Sequence, residues 1–231
     1  MIIPEHKLIY IHIPKTGGIS VENFLLDKYN LKRDVATFST GFGVIYLHTK
    51  NMGSSIYPLM HYPLYNLIDA NPNIEINNEW TIFSIVRNPY YKFISELFWN
   101  SNTGMCFHYH TLPPSAQKMF INDSIDLYFN ELDTYNNWHS FHSYPQCCFF
   151  DNVDINYQIF KFEEGLPNIM KKLGYQVDVF PHDMNIFEER LIPKPDYKQL
   201  LTSYLIKTVN EKYSKDFKEF DYEMLNPLDF D

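Results

Sequence analysis

The chain has 231 residues, of which 45% are hydrophobic and 17% aromatic; this supports one domain with a real core and does not call for two. A formal net charge of −9, from 19 Lys and Arg against 28 Asp and Glu, argues against a general nucleic-acid binder, which shows a basic face. It leaves room for a small basic pocket holding one anionic ligand. The three cysteines, Cys106, Cys147 and Cys148, are odd in number with two adjacent, a poor disulfide framework. No window of about eighteen apolar residues could span a membrane, and the N-terminus lacks the basic-then-apolar order of a secretory signal. The expected setting is reducing and cytoplasmic.

In chain order, the first expected element is a buried strand over LIYIHI, Leu8 to Ile13, a short apolar run bounded by turn residues. A helix from Ser20 to Tyr29 follows, with Val21, Phe24, Leu25 and Tyr29 at 3,4 spacing. The stretch from 32 to 58 reads as irregular, with one short strand near Val44 to Leu47. Pro58 to Ala70 reads as a helix, and WTIFSIV, Trp80 to Val86, as a second buried strand. Pro89 suits the first position of a helix whose inward stripe is Tyr90, Phe93, Ile94, Leu97 and Phe98. Further on come a strand-like HYH at His108 to His110, a helix near Ser115 to Leu132, a strand over Tyr157 to Phe162 and a short helix ending at Gly174. A long final helix begins near Leu200. Strands alternating with helices predict an α/β fold with a mainly parallel sheet in a single domain.

IPKTGGIS, Ile13 to Ser20, sits where the first strand should turn into the first helix. Glycine is scarce in this chain, with only 8, so the pair Gly17-Gly18 marks a position with special backbone needs. Backbone N–H groups of a glycine turn converge on one spot, and the following helix adds its positive end. Lys15 brings a full charge, and Thr16 and Ser20 bring hydroxyls. This is a cradle for phosphate or sulfate. It is not the nucleoside-triphosphatase loop, whose lysine follows the glycines. At the end of the second strand stands Arg87, the side chain suited to bidentate phosphate contact. Ser95 lies about two helical turns further on, so both can address one anion.

HIPKTGGIS followed by FSIVRNPYYKFIS resembles the sulfotransferase superfamily, whose members read HIPKTGGTS and then F-x-x-VRNPYDRLVS. The branch it resembles contains carbohydrate sulfotransferases such as heparan sulfate 2-O-sulfotransferase and its bacterial relatives. HSYPQ (His142 to Gln146), IFKFEEG (Ile159 to Gly165) and YSKDFKEFDY (Tyr213 to Tyr222) are similar to later segments of that family. The resemblance implies a P-loop-NTPase-like parallel sheet flanked by helices, with 3′-phosphoadenosine 5′-phosphosulfate as donor and no metal. It implies that Lys15, Thr16, Gly17, Gly18, Ile19 and Ser20 hold the 5′-phosphosulfate, Arg87 and Ser95 the 3′-phosphate, and that His142 and Gln146 border the acceptor. Ile19 departs from the family's threonine and loses a hydroxyl. Lys92 stands where many relatives have arginine.

Sulfuryl transfer to a hydroxyl needs charge stabilisation, for which Lys15 is the candidate, and a base. Among nine histidines, His61 is the first choice, because its place before Arg87 resembles the family's catalytic histidine segment. His48 is the second, and the carboxylates Glu22 and Glu96 come after both. His139 and His142 have the spacing of a metal pair but no third ligand beside them. Aromatic side chains such as Trp99 would suit sugar stacking, though core packing is their commoner use. The expected function is transfer to a carbohydrate hydroxyl. The alternatives are a catalytically silent nucleotide- or glycan-binding protein on the same fold, and a P-loop kinase, which would need the GK[ST] ending. The absence of an anchor in the sequence suggests a bacterial-type or viral cytoplasmic enzyme.

Overall fold

A computed structural model describes residues 1–31, 61–100, 105–134, 140–181 and 194–230. The elements are β1 (Ile2–Ile3), β2 (Leu8–Ile11), α1 (Gly18–Lys28), α2 (Leu64–Ala70), β3 (Thr81–Val86), α3 (Pro89–Trp99), α4 (Met105–His108), α5 (Pro114–Thr134), α6 (Ser140–Ser143), β4 (Gln158–Lys161), α7 (Leu166–Lys172), α8 (Ser203–Lys212) and α9 (Ser214–Glu219). The described chain forms two compact units. One comprises Met1–Val86 with Gln146–His182, the other Arg87–Pro145 with Asp183–Asp231.

The first unit holds the sheet, in the order β1-β2-β3-β4. Its three apolar strands β2, β3 and β4 run parallel, with Tyr10 opposite Phe83 and Ile85 opposite Phe160. The short β1 adds antiparallel at the edge, Ile2 opposite Ile9; its two residues are too few to show periodicity in the sequence. Side chains alternate across a strand, so Leu8, Tyr10, Phe83 and Ile85 share one face. They pack there on Val21, Phe24 and Leu25 of α1 and on Ile169 and Met170 of α7. Burying each such side chain contributes about 1.5–3 kcal/mol. α1 ends where Asn30 takes the left-handed conformation, φ +51, and the Leu31 amide donates back to the Leu26 carbonyl at 2.8 Å, a common helix stop.

One expectation needs correction here. His61 is not part of the helix expected over Pro58 to Ala70: α2 starts at Leu64, behind Pro63 at φ −54, ψ 154. The ring of Pro63 disfavours the helical region for Tyr62. The expected strand near Val44 to Leu47, and the start of the helix expected from Pro58, lie outside the described residues.

The second unit is built on α3. The Asn88 side chain accepts from the Tyr90 amide at 3.0 Å and Pro89 takes the first helical position. The predicted stripe of Tyr90, Phe93, Ile94, Leu97 and Phe98 is buried against Ile121, Ile125 and Tyr128 of α5 and Leu205, Ile206 and Val209 of α8. The final helix begins later than expected. Thr202 caps it, its hydroxyl accepting from the Leu205 amide at 3.1 Å, so Leu200 and Leu201 are buried ahead of the helix. The HYH segment is not strand-like either: His108 closes α4 and Tyr109–Thr111 is a 3-10 turn.

This core also encloses charge. Lys92, Glu96, His142 and Asp216 are all buried. The Lys92 ammonium donates to the His142 carbonyl at 2.9 Å, and His142 Nδ1 meets Glu96 Oε2 at 2.9 Å. Burial lowers the Lys92 pKa below its usual 10.5; Glu96 and Asp216 oppose this shift and Arg87 adds to it. Lys92→Met is expected to cost about 3–5 kcal/mol in a denaturant melt, because the buried carboxylates would lose their cation. The pH dependence has a defined sign. Between the lowered folded value and the unfolded value, the unfolded chain holds the extra proton, so stability rises with pH through that alkaline window. The variant should lose that rise; if the rise persists, Lys92 is not its source.

Candidate active site

At the carboxyl end of β2 the backbone turns sharply. Lys15 has φ +67 and Gly17 φ +82, both left-handed, and a lysine there is held against its own preference. Gly17 caps α1 without any side-chain cap bond. The first-turn amides of α1 are therefore not satisfied by a capping side chain, the arrangement in which an anion can accept from them. Lys15, Ile19 and Ser20 are half-buried around this turn. Thr16 is fully buried and its hydroxyl donates to the Ile13 carbonyl at 2.8 Å. That hydroxyl braces the turn, and what Thr16 offers a ligand is its backbone amide.

Both glycines are needed, for different reasons. Gly17 combines its positive φ with close neighbours: a Cβ would stand 2.9 Å from the Phe162 ring and 3.0 Å from Leu166. At Gly18 the constraint is purely one of approach, since a Cβ would fall 1.9 Å from Cδ2 and 2.0 Å from Nε2 of His12.

His12 is a site residue that sequence reasoning does not find. It is 3% exposed, and its Nδ1 lies 3.0 Å from Oε1 of buried Glu22. A signal is present nonetheless, because Gly18 and Glu22 are four apart and share one face of α1. A bare position above a carboxylate on one helix face leaves a slot for a flat ring. Glu22, a candidate base in the sequence, is instead this ring's buried partner. Its charge, second to burial itself, helps push the Tyr10 phenol well above the usual range.

His61 reaches the same turn. Its Nδ1 lies 3.0 Å from the His12 backbone carbonyl, and the two rings meet edge-on with centroids 4.5 Å apart. A carbonyl can only accept, so Nδ1 carries the proton and Nε2 is the basic nitrogen. That is the tautomer a general base requires. The other histidine choice, His48, lies outside the described residues.

The remaining anion-suited residues belong to the second unit. Arg87 directly follows β3. Its guanidinium lies 5.7 Å from the centroid of the Tyr197 ring, and the Lys194 ammonium lies 5.5 Å from the same centroid. Ser95, on α3, lies beside the Tyr197 hydroxyl. Burial raises the Tyr197 pKa, while Arg87 and Ser95 pull it back. Arg87 and Ser95 thus both lie near the Tyr197 side chain; no local signal marks Lys194 and Tyr197 as their neighbours.

His142 and Gln146 are both buried. Besides its contact with Glu96, the His142 ring stacks on Trp99 with centroids 4.6 Å apart and 16° between planes. Trp99, a candidate for sugar stacking, spends one face on this contact. Of the pair His139 and His142, His139 lies outside the described residues. Among the described residues, no group of three or more His, Cys, Asp or Glu could hold a metal ion. No helix among them is long and apolar enough to cross a membrane.

The sequence model of the sulfotransferase family matches residues 1–223. No curated protein and no solved structure matches the chain.

Proposed function

The chain belongs to the sulfotransferase family, and from that premise we propose that it transfers a sulfuryl group from 3′-phosphoadenosine 5′-phosphosulfate to a hydroxyl of a carbohydrate. The observation that carries this reading is the turn from Lys15 to Ser20, with His61 held on the carbonyl of His12 at 3.0 Å. An anion cradle and a histidine held beside it are what transfer to a hydroxyl needs. The carbohydrate acceptor rests on the motif resemblance, and Arg87 and Ser95 fit the donor's 3′-phosphate by the same resemblance.

The donor supplies an activated sulfuryl group on a phosphate oxygen; the protein supplies charge, orientation and a proton acceptor. His61 Nε2 takes the acceptor hydroxyl's proton as the new oxygen–sulfur bond forms. Lys15 and the first-turn amides of α1 stabilise the negative charge that collects on the departing phosphate oxygen as the old bond breaks, by analogy with phosphoryl transfer. The left-handed backbone at Lys15 sets the direction in which its side chain leaves the turn. No step calls for a metal.

Lys15→Ala is expected to lower transfer by about 10²–10³-fold, in line with removal of one preorganised electrostatic donor. The measurement is formation of 3′-phosphoadenosine 5′-phosphate from the donor with a panel of oligosaccharide acceptors. Transfer at the wild-type rate would remove Lys15 from the mechanism. No transfer by the wild type to any acceptor, with nucleotide binding intact, would favour a silent binding protein.

A further inference from the structure

We propose that Cys147 and Cys148 form a thiol–disulfide exchange site that takes a small-molecule disulfide, and that the bond so made between the two neighbours loosens α2 and with it His61. The thiol chemistry goes beyond the donor reading; only its effect on the transfer rate rests on that reading.

The three cysteines are thiols in the structure, and they differ in access. Cys106 is buried in α4, whereas Cys147 and Cys148 are half-buried. Both belong to the 3-10 turn Gln146–Phe150 of the first unit. The other three residues of that turn, Gln146, Phe149 and Phe150, are buried, and the Phe150 ring stacks on Tyr157 with centroids 4.6 Å apart and 22° between planes. The two thiols are therefore the part of the turn that solvent reaches. Reactivity follows access and thiolate character, and adjacency places a resolving thiol beside whichever one reacts first.

The reaction is two exchanges in sequence. The thiolate of one cysteine attacks a sulfur of the small disulfide, forming a mixed disulfide and expelling one small thiolate. The neighbouring thiolate then attacks the protein sulfur of that mixed disulfide and expels the second. Two protein thiols are oxidised, the small disulfide is reduced to two thiols, and the two cysteine protons pass to them.

The intact turn and this bond exclude each other. Successive side chains of a 3-10 turn stand about a third of a turn apart. Neighbouring Cα atoms are about 3.8 Å apart, closer than the roughly 4.4–6.8 Å that disulfides favour. Closing the bond therefore unwinds the turn and pulls on Gln146 and Phe149, both 0% exposed. The turn packs against α2, whose Leu64 and Leu67 are buried. His61 stands just ahead of α2, held by the 3.0 Å contact of its Nδ1 with the His12 carbonyl. A shift of α2 reaches that contact. A bond closed under strain is also readily reduced, which is the property of labile, regulatory disulfides.

The test incubates the intact chain with oxidised glutathione, alkylates the remaining thiols in denaturant and measures the mass. The wild type should lose two hydrogen atoms and carry one alkyl group, on Cys106, with peptide mapping placing the bond between Cys147 and Cys148. Amide hydrogen exchange in Leu64–Ala70 and Gln146–Phe150 should speed up about tenfold or more. Transfer should slow by about 10–100-fold, the scale of a misplaced catalytic group. Dithiothreitol should restore both. Cys106→Ala should respond as the wild type does, and C147S/C148S should keep its rate within about twofold with or without oxidant. A stable glutathione adduct in place of the neighbour bond, a bond formed with exchange in α2 unchanged, or an equal loss of rate in C147S/C148S overturns the proposal. A chain that transfers no sulfuryl group in any state defeats the donor reading, while mass and exchange still decide the thiol site.

Discussion

His61→Asn should reduce sulfuryl transfer by about 10²–10⁴-fold, the usual contribution of a positioned general base, while leaving nucleotide affinity close to wild type. Asparagine is the informative choice because its amide nitrogen can take the place of Nδ1 and still donate to the His12 carbonyl, a bond of 3.0 Å in the native chain. The turn keeps its brace and the site loses only its basic nitrogen. His61→Ala removes both, so any further loss in that variant measures the brace. The rate is read as nucleotide product formed per enzyme at saturating donor, and the affinity by titration with 3′-phosphoadenosine 5′-phosphate. A rate within a few-fold of wild type in His61→Asn would take the base away from His61 and pass the question to His48.

Gly18→Ala should damage the same site through packing. The added Cβ would stand 1.9 Å from the His12 ring, far inside contact distance. The ring cannot swing aside cheaply, since its Nδ1 is bound to Glu22 at 3.0 Å and that carboxylate is 1% exposed. Moving the ring strands a buried carboxyl group; moving the helix dislodges the first-turn amides from the cradle. Overpacking of this kind costs about 1–3 kcal/mol and occasionally more, or a Tm lower by roughly 2–12 °C in a chain of this size. Affinity for 3′-phosphoadenosine 5′-phosphate should fall about tenfold or more, since the first-turn amides move with the helix. A variant with wild-type Tm and affinity would show that His12 does not pack over Gly18 in solution. The result also separates two reasons for having glycine. At Gly17 the backbone itself needs a positive φ, whereas at Gly18 only room for the ring is at stake.

Much of this protein can be read from its residues in order. The apolar runs at Leu8 and Thr81, the proline that starts α3, its stripe from Tyr90 to Phe98, and the glycine turn after β2 are all local signals. Spacing along a strand or helix decides them, and the structure has them within a residue or two of where the sequence puts them. Arg87 and Ser95 are readable together for the same reason, since both belong to α3 and its approach. Contacts between distant segments are not readable, because spacing within a segment says nothing about what packs on it. Glu22 reads as a spare candidate base until the fold sets His12 against it. His61 reads as part of a helix until Pro63 excludes it from α2, and it is packing within the first unit that points its Nδ1 at the His12 carbonyl and so settles its tautomer. Tyr197 and Lys194 follow Arg87 by about a hundred residues, and only the collapse of their turn onto α3 makes them neighbours. The residue types for binding an anion are thus written in the chain; which of them meet, and in which protonation state, is decided by tertiary packing, because burial and close approach exist only once segments far apart in sequence share a core.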